Sequence, residues 1–365
     1  MAGIALLVPH IAPGDAVSRD MLGMAEVLRR AGHEVELFAA KREVPESVHS
    51  PAKLRNFARG PEDVLIYHYA IAWEEGLDIF QHFPGKKIIK YHNVTPPEFF
   101  DPYHAGIANA CRAGLAMFPE FIRAEPDLYL GVSDFNRRDM IAMGAPEERT
   151  GVVAPFHDIP GLLALAPDLD FLFRYSQPFP RPRSVFLMLG RIVPNKGYED
   201  LLRVFAFYRE HYDERARLIL AGKHDPSLAS YNRELDDLIL ELRLGESVVF
   251  TGGIPPARLK SCYLSADVFI TLSRHEGFCV PLLEAMAFRI PILALEAGAM
   301  PETAGEAALT FPASDPETFA LALHRLVSEE NIARALTDRG RERYLSLFTN
   351  EKIGADFLRE LERVF

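Results

Sequence analysis

Twice along its 365 residues the sequence alternates short apolar runs with segments of helical spacing, and this alternation constrains the fold more than any other feature. A strand that leads through a helix into another strand is the unit from which parallel sheets are built. In the first half, residues 4–8 form a short apolar run that ends at Pro9, which predicts a buried first strand. The loop I-A-P-G-D-A-V-S and the helix R-D-M-L-G-M-A-E-V-L-R-R follow, with Gly32 as the helix stop. Residues 33–39, H-E-V-E-L-F-A, alternate as a second strand, and further strands are expected at 64–67, 87–91 and 128–132. Between Pro155 and Pro182 the pattern loosens into aromatic and proline-rich sequence, so a domain boundary is expected there. That gives a first domain over 1–170, a second over 171–348 and a terminal helix over 349–365. In the second half, strands are expected at 184–189, 216–223, 248–250, 268–272 and 290–295, with helical segments between them. The expected class is α/β, with two Rossmann-like, doubly wound parallel-sheet domains.

This length exceeds what one hydrophobic core usually supports. A net charge of −11 argues against general affinity for nucleic acid or anionic lipid. Three widely separated cysteines, Cys111, Cys262 and Cys279, fit neither a disulfide framework nor metal spacing and point to a reducing compartment. With no signal-peptide pattern at the start and no apolar run long enough to span a bilayer, the expected location is the cytoplasm.

Three places at strand ends carry chemistry. The stretch E-G-F-C-V-P-L-L-E, residues 276–284, sets Glu276 and Gly277 before a helix whose first turn accommodates Pro281. Its free N–H groups make an anion site. Glu284 is the only charged residue in F-C-V-P-L-L-E-A-M-A-F, so it is expected to be buried and in need of a partner. A ligand with both phosphate and hydroxyl groups would suit the segment; the alternative is a core helix in which Glu284 pairs with an arginine. In G-R-I-V-P-N-K-G, residues 190–197, Arg191 and Lys196 flank a loop at a strand's carboxyl end and could hold a diphosphate. The alternative is a pair of solvated charges, and Lys223 is a weaker third cation. His92, in Y-H-N-V-T-P-P-E-F-F, follows a strand where α/β sheets bind ligands, although a lone histidine is often structural. Ser133 is expected to cap the helix after it. Gly14 stands alone where a dinucleotide fingerprint would need G-x-G-x-x-G, which argues against an oxidoreductase.

From about Val185 to Leu309 the ordered set G-R-I-V-P-N-K-G, A-G-K, T-G-G, S-A-D-V-F-I-T-L-S-R-H-E-G-F, the two glutamates and G-A-M-P-E resembles the retaining glycosyltransferases of family 4. The first half matches more loosely, through Gly14, Y-H-N and V-S. The resemblance implies the GT-B fold, two Rossmann-like domains facing each other across a cleft, with the final helix crossing back onto the first. It implies that Arg191 and Lys196 neutralise the donor diphosphate and that Glu284 binds the ribose hydroxyls. Glu276 and His92 would lie near the transferred sugar, and the backbone at Gly277, Phe278, Cys279 and Val280 would meet the phosphates. Gly14 would line the donor side of the first domain. Where the family often has glycine, this chain has Cys279, which costs little if its φ stays negative.

The variants Y-H-N-V-T-P and E-G-F-C-V-P-L-L-E look most like bacterial mannosyltransferases. They imply GDP-mannose as donor, with UDP-hexoses as the alternative, and a glycan or lipid-linked glycan acceptor. Peripheral contact with the inner membrane surface would then follow, for which Arg137 and Arg138 are candidates, unless they are a solvated helix face. No Asp-x-Asp stands at a plausible metal site, since D-L-D at 168–170 falls in the linker, so no metal or other cofactor is expected. The rivals are a phosphorylase or sugar-nucleotide epimerase of the same fold, and a nucleotide-sugar-binding protein without catalysis.

Overall fold

The computed structural model describes residues 3–44, 47–58, 60–176 and 184–365. The chain forms two compact units, one from residues 1–97, 106–157 and 347–365, the other from 98–105 and 158–346. The proline-rich part of the expected linker, residues 177–183, lies outside the described residues.

The first unit holds a seven-stranded sheet of order β3-β2-β1-β4-β5-β6-β7. Its strands are β1 (Gly3–Ile11), β2 (Glu34–Arg42), β3 (Val48–His49), β4 (Val64–Tyr69), β5 (Lys86–Tyr91), β6 (Leu128–Gly131) and β7 (Thr150–Val152). The second unit holds six strands in the order β10-β9-β8-β11-β12-β13: β8 (Val185–Leu189), β9 (Arg217–Ala221), β10 (Val248–Phe250), β11 (Val268–Thr271), β12 (Ile292–Leu295) and β13 (Ala308–Phe311). Every pairing is parallel. In each sheet the winding direction reverses once, between β1 and β4 and between β8 and β11, and such reversals are where open α/β sheets bind ligands.

Helices cover the sheets with their apolar stripes. The helix Ala16–Arg30 begins at Asp15, whose carboxylate accepts from the Ser18 N–H at 2.8 Å, and lays Met21, Met24, Ala25 and Leu28 on the core. Ser133 caps Asp134–Ala142 by accepting from the Asn136 N–H at 3.2 Å. The last helix, Asn350–Leu361, starts at Thr349 and buries Ile353, Phe357 and Leu361, an i, i+4, i+8 stripe, in the first unit's core.

Three features depart from the sequence pattern. β1 does not stop at Pro9 but runs to Ile11. It pairs with β4 only as far as Leu7 and with β2 alone thereafter, an edge position that accommodates a proline. The edge strands β3 and β7 are too short to leave a periodic signal. Within the loosened stretch, Ile159–Ala164 and Leu169–Ser176 are helical.

Phe357 is fully buried and meets Phe156 edge-on, with ring centroids 6.5 Å apart. Phe357→Ala should therefore destabilise the first unit by about 3–5 kcal/mol. Urea unfolding followed at that unit would show the loss; an unchanged midpoint would mean the terminal helix adds nothing to its core.

Candidate active site

In the second unit, β8 and β11 lie side by side, and the loops beyond their carboxyl ends carry the charges. After β8 the chain makes a short turn at Pro194–Lys196 and enters the helix Tyr198–His211 through Gly197. Gly197 has φ 68°, and a Cβ there would sit 2.2 Å from the Leu272 carbonyl oxygen, so only glycine lets the two loops approach. The loops are also laced by hydrogen bonds: the Arg274 N–H donates to the Asn195 carbonyl at 2.8 Å, and the Asn195 side-chain amide donates to the His275 carbonyl at 3.3 Å.

This brings Lys196 and Glu276 together, and the ammonium donates directly to the carboxylate. Their side chains are only 19% and 12% exposed. Burial pulls the Lys196 ammonium toward losing its proton; the Glu276 carboxylate outweighs that, so it titrates above the usual lysine range. Arg191 is exposed at the same strand end and close enough to repel Lys196. Lys223 is exposed, and its carbonyl accepts from the Ile192 N–H at 3.1 Å.

Beyond Glu276, the helix Val280–Phe288 has Pro281 in its first turn and no side chain capping its N-terminus. Its donors are the kind that bind anions. Cys279, just before it, does not meet the condition of a negative φ under which it would cost little: the residue is left-handed, φ 71° and ψ 68°. A side-chain-bearing residue pays about 1–2 kcal/mol for that conformation, which the sharp entry into the helix imposes. The thiol is buried and held well above its usual titration range, first by burial and then by the Glu276 carboxylate, so it stays protonated.

Glu284, on the following turn of that helix, is half-buried rather than buried. The Tyr263 hydroxyl donates to it at 2.5 Å. Behind the site, the loop carrying G-A-M-P-E supports the Glu276 backbone. Gly298, at φ 57°, brings the chain so close that a Cβ would lie 2.4 Å from the Glu276 carbonyl oxygen, which also accepts from the Ala299 N–H at 2.9 Å. The Thr303 hydroxyl donates to the Phe278 carbonyl at 2.7 Å.

Arg191, Lys196, the run from Glu276 through Gly277, Phe278 and Cys279 to Val280, and Glu284 thus gather in the second unit. Gly14 and His92 belong to the first. Gly14 is an exposed turn residue with φ 77° and open space around it. His92 is enclosed, its ring Nε2 lying 3.0 Å from His68 Nδ1 and 3.5 Å from an Asp20 carboxylate oxygen. Lys90 Nζ is 4.0 Å from that same oxygen. Asp20, His68 and Lys90 were not singled out by motif, although a lysine and a histidine inside apolar strands are a signal in themselves. Among the described residues, Asp20, His68 and His92 are the one His/Asp group close enough to hold a metal ion. Arg137 and Arg138 both pair with Asp134, at 3.0 and 3.1 Å, as ordinary helix-surface charges.

Residues 172–343 match the family model described as glycosyl transferases group 1. The second half of this chain belongs to that family. The MMP alpha-(1->4)-mannosyltransferase of Mycolicibacterium hassiacum is 32% identical over 174 residues, 47% of this chain and 41% of that protein. The chain spans less than half the length of several curated relatives it matches. A longer match, 26% identical over 327 residues and covering 81% of this chain and 80% of the relative, is to the GDP-mannose-dependent alpha-mannosyltransferase of Mycolicibacterium smegmatis. Among solved structures, Anabaena HepE in complex with UDP and glucose superimposes with a TM-score of 0.79 at 16% identity, over 99% of this chain and 100% of that one. The fold is GT-B: two parallel-sheet α/β units of seven and six strands.

In this group 1 domain, Gly298→Ala should cost about 1–3 kcal/mol, because the new methyl group meets backbone in a conformation disfavoured for alanine. Chemical denaturation of the second unit would measure it, and an unaltered midpoint would show that the supporting loop is free to move.

Proposed function

We propose that this chain is a retaining glycosyltransferase that moves a hexose, mannose from GDP-mannose, to a glycan or lipid-linked glycan acceptor without a metal ion. The observation that carries the reading is Lys196, kept charged by Glu276 beside the uncapped start of Val280–Phe288, with Glu284 on the next turn.

Breaking a sugar–phosphate bond places negative charge on the departing diphosphate. Arg191, Lys196 and the helix N-terminus oppose that charge with groups already in place, so little reorganisation is needed as the bond opens. Glu284, oriented by the Tyr263 hydroxyl, offers a carboxylate to the ribose hydroxyls. Glu276 accepts from a sugar hydroxyl, and its pairing with Lys196 makes it a poor nucleophile, which favours front-face attack over a covalent intermediate. His92 supplies a hydrogen-bonding group to the transferred sugar. The donor base follows the GDP-mannose-dependent relative that matches most of the chain.

Metal independence is supported by the fate of D-L-D at 168–170. One Asp168 oxygen accepts from the Phe171 N–H at 3.0 Å and the other pairs with Arg258 at 2.8 Å, so this carboxylate caps a helix. Among the described residues no helix is long and apolar enough to cross a membrane. A lipid-linked acceptor would therefore be met peripherally, and by a surface other than the self-paired Arg137 and Arg138.

Release of GDP from GDP-mannose, followed with candidate glycan acceptors, tests the reading. Turnover should be the same in EDTA and in magnesium; a strict metal requirement would overturn metal independence, and turnover of UDP-hexoses alone would overturn the donor. Glu284→Ala should weaken GDP binding about 10–100-fold, the worth of hydrogen bonds to a charged group. Arg191→Ala with Lys196→Ala should lower turnover about 10²–10³-fold while leaving guanosine affinity nearly intact. Unchanged turnover in the double variant would remove the account of leaving-group stabilisation.

A further inference from the structure

Four ionisable side chains are buried together in the first unit. His68 on β4 and Lys90 on β5 are register partners, so they sit side by side on the sheet face covered by Ala16–Arg30, which contributes Asp20. His92 continues the same alternation just past β5. Asp20, His68 and Lys90 are completely shielded from water, and the His92 side chain is 6% exposed. One Asp20 oxygen accepts from the Phe156 N–H at 2.8 Å, and Lys90 donates to the Val153 carbonyl. The other Asp20 oxygen and His68 Nε2 have no hydrogen-bond partner.

The contact between His68 Nδ1 and His92 Nε2, at 3.0 Å, holds one proton. If His92 donated it, neutral His68 would carry its own proton on Nε2, a buried N–H with nothing to accept it. If His68 donates, Nε2 is a bare acceptor, the less costly orphan, and the His92 proton is on Nδ1. The geometry points to Asp20, His68 and Lys90 as positioning residues that fix His92 as a neutral imidazole with Nδ1–H facing outward, a hydrogen-bond donor to substrate rather than a cation or a base. The charge balance agrees. Burial, then His68 and Lys90, holds His92 well below the usual histidine range, and burial with Lys90 draws His68 down to about 3. Asp20 supplies the counter-charge to Lys90, 4.0 Å away. Those three are the charged or titratable groups facing His92, from the helix, β4 and β5. The inference rests on the role given to His92 above.

Nitrogen-15 NMR of the full chain labelled at histidine reads the tautomer without any substrate. His92 should be neutral and protonated on Nδ1 from about pH 6 to 8, across the range where an ordinary histidine titrates. His68→Phe should free its tautomer and raise its titration toward the usual range, and nucleotide-sugar turnover should fall about tenfold with a new acid limb and little change in KM. His68→Asn, whose amide can occupy the Nδ1 position, should restore both. A proton on Nε2 in the wild type, stoichiometric zinc in the purified protein, or a His68→Phe variant with unaltered tautomer and pH profile would overturn the inference. Should no nucleotide sugar be turned over, the function proposed above fails while the tautomer measurement still stands or falls alone.

Discussion

The ion pair between Lys196 and Glu276 is what the second unit's site depends on. Two opposite charges, mostly withdrawn from water, stand at the ends of neighbouring strands. Such a pair adds little net stability, because desolvation offsets most of the attraction, yet losing either partner would leave a stranded charge at about 3–5 kcal/mol. Its consequence is chemical. An enclosed lysine would tend to give up its proton, and the carboxylate reverses that tendency. The sheet order that makes β8 and β11 neighbours, the Asn195 bridges, and the two left-handed glycines, Gly197 and Gly298, all hold the two loops at that distance.

The two units treat buried charge in opposite ways. In the second, enclosure by an opposite charge preserves the lysine's charge. In the first, enclosure drives the groups toward neutrality: burial raises Asp20 to about 6, with Lys90 opposing, and burial lowers Lys90 to about 8, with Asp20 opposing. One site is suited to meeting an anion, the other to presenting a neutral ring. That division follows from distance and burial: Lys196 donates directly to Glu276, whereas Lys90 is fully buried and 4.0 Å from Asp20.

Much of the fold was legible because strands and helices differ in period, and the apolar runs of β1, β2, β4, β5 and β6 are long enough to display theirs. β3 and β7, two and three residues long, are not. The charged loops were legible for a related reason: Arg191, Lys196 and Glu276 interrupt the pattern at strand ends, where an α/β sheet presents its ligand site. Their pairing was not, since Lys196 and Glu276 are 80 residues apart and meet only through the strand order. Nor could sequence reveal the left-handed Cys279, whose backbone is set by the angle at which the loop enters the helix. His68 and Lys90 were visible as polar residues in apolar strands, but their convergence with Asp20 required the register of β4 against β5 and the packing of the helix that carries it.

The central claim is that the carboxyl ends of β8 and β11 receive a nucleoside diphosphate. Thermal unfolding of the full chain with GDP, UDP, ADP and CDP tests it most directly, because a ligand that binds only the folded state raises the melting temperature. The account predicts a rise with GDP that is absent in Glu284→Ala. A rise with UDP alone would keep the site and change the base, and no rise with any of the four would contradict the claim.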